Sequence, residues 1–235
     1  MLLAIDTSTR QAGIALYDGV RGLVAEYNWH SANRHTEELM PAVAYMLNQS
    51  GITPGALRAV AVALGPGSFT GLRVGLAAAK GLALANGVAL LGIPTLDAVA
   101  YPHQAQPVPV IAVLQAGRER VYWAPYAHGP GGWGAQEPAR LSTVPEMATA
   151  AVRPVMFVGE VSGANEETLI QWAGRPRVNF LPAALTMRRG GYLAELGWSR
   201  FEAGEADDPA ALSPIYLQGP DGAFSAGPVA HKGMA

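Results

Sequence analysis

The sequence contains no cysteine, which excludes disulfide bonds and thiol-based catalysis. Charged residues are also scarce: they make up 14% of the 235 residues, whereas 50% are hydrophobic. Soluble domains carry about 25% charged residues on average, so this chain has little charged surface. The composition predicts a large core in one domain or two lobes, and a partner that covers part of the surface. A warm or crowded habitat, or simply an abundance of alanine, would also account for the low charge.

Long blocks of like charge are absent as well, and the formal net charge is −2. This balance argues against a protein that binds nucleic acid strongly on its own. Residues Met1–Asp6 run directly into a strand pattern without a basic lead or a cleavage site, so we expect no signal peptide. The apolar run Leu76–Ile93 is interrupted by Lys80 and Asn86, which favours buried core over a membrane span. We therefore expect a cytoplasmic protein without membrane contact.

The most distinctive stretch is a glycine turn that joins an apolar strand to an apolar helix. Residues Ala59–Leu64 have the pattern of a buried strand that stops at Gly65 and Gly67. Residues Phe69–Ala85 then have the small, apolar composition of a buried helix. Ser68 is placed to cap this helix, and no acidic residue in the first turn competes with an anion for the backbone N–H groups. The turn is therefore a candidate anion site.

The turn does not match the familiar phosphate-binding patterns. A Walker A loop requires Gly-Lys-Ser/Thr, whereas Gly71 is followed by Leu72 and Arg73. A dinucleotide loop requires G-x-G-x-x-G, whereas Gly71 comes one residue late and the acidic residue expected about 20 positions later is missing. The alternative hypothesis is helix docking, because Gly71, Gly75 and Ala79 recur every four residues and give the helix a flat face.

The two halves of the chain have the same predicted order of elements, β-β-β-α-β-α-β. In the first half we expect strands at Leu2–Asp6, Gly13–Tyr17, Leu23–Trp29, Ala59–Leu64 and Ala89–Ile93, and helices near Leu39–Ser50 and Phe69–Ala85. In the second half we expect strands at Val110–Gln115, Arg120–Tyr126, Gln136–Leu141, Val155–Val158 and Val178–Leu181, and helices at Pro145–Ala151, Glu166–Ala173 and Tyr192–Ala203.

This repeat predicts an α/β protein of two lobes. The first lobe spans 1–102 and the second, degenerate lobe spans 103–218, while the helix near 191–204 packs back on the first lobe. The glycine-, alanine- and proline-rich residues 219–235 are expected to form a mobile tail.

The two-lobed order resembles the actin-like ATPase, sugar kinase and Hsp70 group, which has a ribonuclease H-like fold. In that group a carboxylate at the end of the first strand of each lobe handles the metal and the phosphates. The first lobe supplies Asp6 there, followed by the hydroxyls of Thr7, Ser8 and Thr9, whereas the second lobe supplies the neutral Gln115. An amide is a poor substitute for a carboxylate as a ligand of a divalent metal. Asp6 is thus either a residual metal ligand or a residue that caps the following turn, and the missing second carboxylate favours the turn.

Three segments of the first half stand out as motifs: 3–9 (Leu-Ala-Ile-Asp-Thr-Ser-Thr), 34–41 (Arg-His-Thr-Glu-Glu-Leu-Met-Pro) and above all 65–75 (Gly-Pro-Gly-Ser-Phe-Thr-Gly-Leu-Arg-Val-Gly). Together they resemble the TsaB (YeaZ) family. Lys80–Ala83 and Val121–Trp123 fit as well, and the likeness is dense up to about Leu96. The resemblance implies a non-catalytic subunit of the bacterial complex that makes N6-threonylcarbamoyladenosine at position 37 of tRNAs that read codons starting with A.

The resemblance also implies the partners. TsaD, the catalytic paralogue, would form a heterodimer with this chain, TsaE would join as the ATPase, TsaC would supply threonylcarbamoyl-AMP, and tRNA would be bound only through the complex. In the family the heterodimer is built by the two helices of the first lobe. The interface residues that we expect on these helices are Leu39, Val43, Met46, Leu47, Gly71, Leu72, Gly75 and Ala79. The same face predicts a homodimer of the isolated protein.

We expect no tightly bound cofactor, and ATP or ADP only at the interface of the complex. A residual nucleotide or anion site would consist of Asp6, Thr7, Ser8, Thr9, Gly65, Gly67 and Ser68. Arg73 is either a contact to an anion or to the partner, or a solvated helix residue. The chain departs from the family at Gln115, where an acidic residue is frequent, and at Gln218, where Tyr-Leu-Arg often closes the last ordered segment.

Two other functions are alternatives. An active ATP-dependent kinase or ATPase of the same fold is disfavoured by Gln115. A metal-dependent glycoprotease-like peptidase is disfavoured because TsaD-like proteins carry two metal-binding histidines four residues apart on the first helix, whereas here His35 is followed by Leu39. We therefore expect no metal site.

Overall fold

The computed structural model describes residues 1–117 and 120–217, which form two compact units. Unit 1 consists of Met1–Ala98 and Arg188–Ile215, and unit 2 of Val99–Met187 with Tyr216 and Leu217. The first unit thus ends close to the predicted limit of 102. It also contains the segment 188–215, which includes the helix expected near 191–204 to pack back on the first lobe. Gln218 and the predicted tail, 219–235, lie outside the described residues.

Unit 1 is built on a five-stranded mixed sheet with the strand order β3-β2-β1-β4-β5. The strands are β1 (Leu2–Asp6), β2 (Gln11–Asp18), β3 (Gly22–His30), β4 (Ala59–Gly65) and β5 (Ala89–Pro94). The first three strands are antiparallel, as in a meander, and β1, β4 and β5 are parallel. The helices are α1 (His35–Gln49), α2 (Phe69–Asn86) and, from the segment 188–215, α7 (Gly190–Glu202), while α3 (Thr95–Ala100) begins in unit 1 and ends in unit 2.

The alternating side chains of β1 divide the core of unit 1 into two layers. Leu3 and Ile5 belong to the cluster that contains the buried residues of α1 and α2, whereas Leu2 and Ala4 belong to the cluster of α7. Successive side chains of a strand point to opposite faces, so the sheet is covered on both sides. This arrangement explains why β1 is an uninterrupted run of buried residues.

Residues 188–215, here called the returning segment, pack against the sheet of unit 1 and form hydrogen bonds with it. A Cβ on Gly197 of α7 would meet the Cβ of Ala61 at 2.5 Å, so the helix lies directly on β4. Beyond the helix, the Asp207 carboxylate accepts a hydrogen bond from the Gly92 N–H at 2.7 Å, and the Asp207 N–H donates to the Leu90 carbonyl at 2.8 Å. The segment therefore covers the edge of β5 as well as one face of the sheet.

Unit 2 contains a six-stranded sheet that repeats the order of unit 1. The strands are β6 (Val110–Ala116), β7 (Arg120–Gly129), β8 (Gly132–Ala135), β9 (Arg140–Thr143), β10 (Val155–Gly159) and β11 (Val178–Phe180). The order β11-β10-β6-β7-β8, with β9 also paired to β7, matches β5-β4-β1-β2-β3 of unit 1. The helices are α4 (Val144–Ala148), α5 (Gly163–Ala173) and α6 (Ala183–Thr186). The predicted repeat is confirmed.

The prediction of one strand at Gln136–Leu141 is wrong. The chain forms two short strands instead, β8 and β9, which pair with opposite ends of β7. Between them the Gln136 side chain donates to the carbonyls of Ala127 and Gly134, each at 2.9 Å. Pro138 lacks the N–H that a continuous ladder would need, so the strand pattern breaks there.

Candidate functional site

Asp6, at the end of β1, caps the turn that follows it. Its side chain is buried, and one carboxylate oxygen accepts hydrogen bonds from the Ser8 N–H at 2.9 Å and the Ser8 hydroxyl at 2.6 Å. The other oxygen forms an ion pair with Arg188 Nε at 2.5 Å. The turn-capping role favoured by the sequence is therefore present, together with a countercharge that sequence analysis missed.

Arg188 brings the returning segment into contact with the turn after β1, residues 7–10, here called the β1 turn. The residue is 4% exposed, and its Nη2 donates to the Thr9 hydroxyl at 2.9 Å and the Gln11 carbonyl at 2.7 Å. A buried charge requires a partner, so a carboxylate in an apolar strand signals that a cation lies nearby. Nothing in the sequence indicated which of the basic residues this would be, because Asp6 and Arg188 are 182 positions apart.

Backbone N–H groups of the glycine turn form hydrogen bonds with other parts of unit 1. The Ser68 hydroxyl accepts from the Gly71 N–H at 3.3 Å, which confirms the predicted helix cap. The Ser68 N–H donates to the Ser8 carbonyl at 2.6 Å, and the Gly65 N–H donates to the Thr95 hydroxyl at 3.0 Å. Two N–H donors of the expected anion site are therefore used within the protein. Gly65 also has a φ of +109°, a conformation that favours glycine.

The flat face of α2 packs against β1 and the turn after it. A Cβ on Gly71 would collide with the Thr7 carbonyl, and a Cβ on Gly75 would collide with the Thr7 hydroxyl. The Thr7 hydroxyl in turn donates to the Gly71 carbonyl at 2.7 Å. The small residues are therefore required because a strand end and a helix approach each other closely.

This packing corrects the expected partner interface. All eight residues assigned to it are buried inside unit 1: Leu39, Val43, Met46, Leu47, Gly71, Leu72, Gly75 and Ala79. The prediction that the flat face docks a partner is wrong, since the sheet already occupies that face. The helices were identified correctly, but their other sides face solvent.

An apolar groove lies on the solvent side of α1 and α2. It has a volume of about 500 Å³ and is lined by Thr36, Leu39, Met40, Phe69, Thr70, Arg73, Val74, Ala77 and Ala78. Phe69 is 55% exposed and Met40 is 44% exposed. The guanidinium carbon of Arg73 lies 3.7 Å from the centroid of the Phe69 ring, so a cation–π pair stands in the groove lining.

His35, the first residue of α1, is buried. Its Nδ1 has no hydrogen-bond partner, and its ring lies beside Gly71. Burial lowers the pKa of His35, although Glu38, Asp6 and a hydrogen bond with the Thr9 backbone act in the opposite direction. Within residues 1–117 and 120–217, no group of three or more His, Cys, Asp or Glu side chains is arranged to hold a metal ion.

Gln115 takes the place in unit 2 that Asp6 has in unit 1, at the end of the first strand. Its amide nitrogen donates to the Gly117 carbonyl at 2.7 Å, and its amide oxygen accepts from the Asn165 side chain at 3.1 Å. The Gln115 N–H donates to the Glu160 carboxylate at 3.1 Å, a nearby acid that sequence analysis did not single out. Gln115 thus joins β6 to the start of α5.

No helix in the described part of the chain combines the length and the apolar character that a membrane crossing requires. Helix α2 is the longest helix among the described residues, and it contains Lys80 and Arg73.

Comparisons with known proteins place the chain in a family. The family model described as "TsaD: tRNA N6-adenosine threonylcarbamoyltransferase" matches residues 23–133. The Escherichia coli (strain K12) protein named "tRNA threonylcarbamoyladenosine biosynthesis protein TsaB" is 34% identical over 139 residues, which cover 58% of this chain and 59% of that protein. The Bacillus subtilis (strain 168) protein of the same name is 32% identical over 223 residues, which cover 92% of this chain and 93% of that protein.

The fold agrees with these sequence matches. The solved structure "YeaZ from Pseudomonas aeruginosa" superimposes with a TM-score of 0.76 at 25% identity, covering 92% of this chain and 99% of that one. The resemblance drawn from the three motifs and the predicted α/β fold are thereby confirmed. The chain belongs to the TsaB (YeaZ) family of tRNA threonylcarbamoyladenosine biosynthesis proteins.

Proposed function

We propose that this chain is a non-catalytic subunit that pairs with TsaD and thereby supports the formation of N6-threonylcarbamoyladenosine at position 37 of tRNA. The observation that carries this proposal is the exposed apolar groove between α1 and α2. The match to the TsaD family model spans residues 23–133, which include both helices, so the two paralogues share this part of the fold.

The groove has the chemistry of a protein interface. Phe69 and Met40 expose large apolar side chains, and burying one such side chain contributes about 1.5–3 kcal/mol. Aromatic residues and arginine are enriched among the residues that dominate binding energy, and here Arg73 and Phe69 lie against each other. A partner that covers the groove would also account for the low charge of the chain as a whole.

The positions that carry chemistry in related folds support a non-catalytic role. Asp6 is engaged by Ser8 and Arg188, and Gln115 is neutral and bound to its own neighbours. His35 is followed one turn later by Leu39, so α1 offers a single imidazole. We propose that the chemistry of the complex takes place on TsaD.

The other parts of the assembly follow from this role. We propose that ATP or ADP binds only at the interface of the complex, that TsaE joins the complex, and that TsaC supplies the activated threonylcarbamoyl group. The net charge of −2 fits a subunit that reaches tRNA through its partners. We further propose that the isolated protein forms a homodimer through the same groove and that it acts in the cytoplasm.

Co-purification with the TsaD of the same organism tests the proposal. Ala77 is exposed and lines the groove, and Ala164 is an exposed alanine near the start of α5 in unit 2. An Ala77→Glu variant would bury a carboxylate against apolar surface, which costs about 3 kcal/mol and weakens binding on the order of 100-fold. The matched Ala164→Glu variant should pair with TsaD as the wild type does.

Circular dichroism shows whether both variants are folded. The proposal predicts a 1:1 complex for the wild type and for Ala164→Glu, and little or no complex for Ala77→Glu. Equal recovery of all three with TsaD would place the interface elsewhere and refute the role of the groove.

A further inference from the structure

The buried ion pair at the end of β1 sits where the related ATPases use a metal. Asp6 is 3% exposed and Arg188 is 4% exposed, so both charges are removed from water. Arg188 is also the first residue of the segment that returns to unit 1. Its guanidinium therefore connects the start of that segment to the end of the first strand.

Three oxygen atoms of different kinds accept hydrogen bonds from this guanidinium. They are the Asp6 carboxylate at 2.5 Å, the Thr9 hydroxyl at 2.9 Å and the Gln11 carbonyl at 2.7 Å. Carboxylate, hydroxyl and carbonyl oxygens are also the ligands that hard divalent cations take from proteins. The oxygen atoms around Arg188 are thus of the types that bind a divalent metal ion, and the guanidinium occupies the position among them.

The fold family implies a divalent metal at the Asp6 carboxylate, but the residues present do not fit one. Both carboxylate oxygens already accept hydrogen bonds, one from Ser8 and the other from Arg188. A metal ion at the second oxygen would stand beside a buried guanidinium of the same sign, and like charges at short range repel each other strongly where water is excluded.

We propose that Arg188 is a built-in cation that fills a latent divalent-cation site at the end of β1. The β1 turn then keeps its shape without metal or nucleotide. That turn holds the N-terminus of α2, because the Ser8 carbonyl accepts from the Ser68 N–H at 2.6 Å and the Thr7 hydroxyl donates to the Gly71 carbonyl at 2.7 Å. Arg188 is therefore a positioning residue for the groove helices; this last step rests on the proposed function, whereas the cation site does not.

Thermal unfolding of the isolated protein tests the cation site without involving TsaD. An Arg188→Ala variant leaves a buried carboxylate unpaired and should lower the Tm on the order of 10 °C in the presence of a chelator. Millimolar Mn²⁺ or methylguanidinium should restore several degrees, because a ligand that binds only the folded state stabilises it. Electron paramagnetic resonance should detect Mn²⁺ bound by Arg188→Ala and not by the wild type.

Two controls locate the effect. Arg189→Ala removes the neighbouring arginine, whose ion pair with Glu26 is partly exposed, and should show no response to Mn²⁺. A double variant, Asp6→Asn with Arg188→Ala, lacks the carboxylate and should not respond either. If Arg188→Ala is insoluble, refolding from denaturant should succeed only with Mn²⁺ or methylguanidinium. No rescue by either cation, or an equal Mn²⁺ shift in the wild type or in the double variant, would overturn the proposal.

Discussion

A pair of glycine-to-alanine variants in α2 tests whether this helix packs closely against the β1 turn. Both Gly75 and Gly81 lie inside α2, so each alanine gains the same intrinsic helix propensity, about 0.8–1 kcal/mol. Their surroundings differ, because a Cβ on Gly75 would collide with the Thr7 hydroxyl, whereas a Cβ on Gly81 has nothing within 4 Å. The two substitutions should therefore change stability in opposite directions.

The expected size for Gly75→Ala follows from two costs. Overpacking against Thr7 costs about 1–3 kcal/mol, and displacing the hydroxyl from the Gly71 carbonyl costs about 1 kcal/mol. After the gain in helix propensity, Gly75→Ala should be less stable by about 1–3 kcal/mol, which lowers the Tm by roughly 2–12 °C. Gly81→Ala should be more stable by up to about 1 kcal/mol.

Urea unfolding followed by circular dichroism measures both effects. Adding Thr7→Ala to Gly75→Ala should give a non-additive change, because the two side chains are in contact. If Gly75→Ala were as stable as the wild type, or if Gly81→Ala were the more damaging variant, the close approach of α2 to the β1 turn would be refuted. Larger residues at Gly75 would unfold this packing, so they cannot separate docking from folding.

Three further predictions concern the same unit. Burial holds the pKa of His35 below its ordinary 6.5, so the unfolded state binds more protons than the folded state just below that pH. The stability should therefore fall as the pH drops from 6.5. His35→Gln should reduce this fall in Tm between neutral and mildly acidic pH. Asp6→Asn leaves the buried guanidinium without its countercharge and should cost about 3–5 kcal/mol in urea unfolding, against a negligible change for the exposed Asp208→Asn. Phe69→Ser should shift the isolated protein from dimer to monomer in analytical ultracentrifugation, whereas Val20→Ser, at a fully exposed turn, should leave the dimer intact.

The order of the elements was predictable because it depends on local patterns. Uninterrupted apolar runs such as Ala59–Leu64 predict buried strands, and the cap at Ser68 fixes where α2 begins. The same patterns revealed the repeat in the second half, where only the strand around Gln136 was misplaced. Gln136 bonds to the backbone of the neighbouring strand, and Pro138 interrupts the hydrogen-bond ladder. Both effects depend on contacts between strands, which an alternating hydrophobic pattern does not reveal.

The site was predictable only in part, because its contacts are distant in sequence. The spacing of Gly71, Gly75 and Ala79 showed that something approaches α2 closely, but spacing alone does not distinguish the end of β1 from another protein. The ion pair of Asp6 with Arg188 joins residues 182 positions apart and has no local signature. Both depend on the tertiary arrangement.

Reconstituted tRNA modification with purified TsaC, TsaD and TsaE measures whether the reaction depends on the groove between α1 and α2. N6-threonylcarbamoyladenosine should form when the wild-type chain or Ala164→Glu is added, and its yield should fall sharply with Ala77→Glu or when the chain is omitted. Full modification without this chain, or with Ala77→Glu, would contradict the claim that it supports the reaction through the groove between α1 and α2.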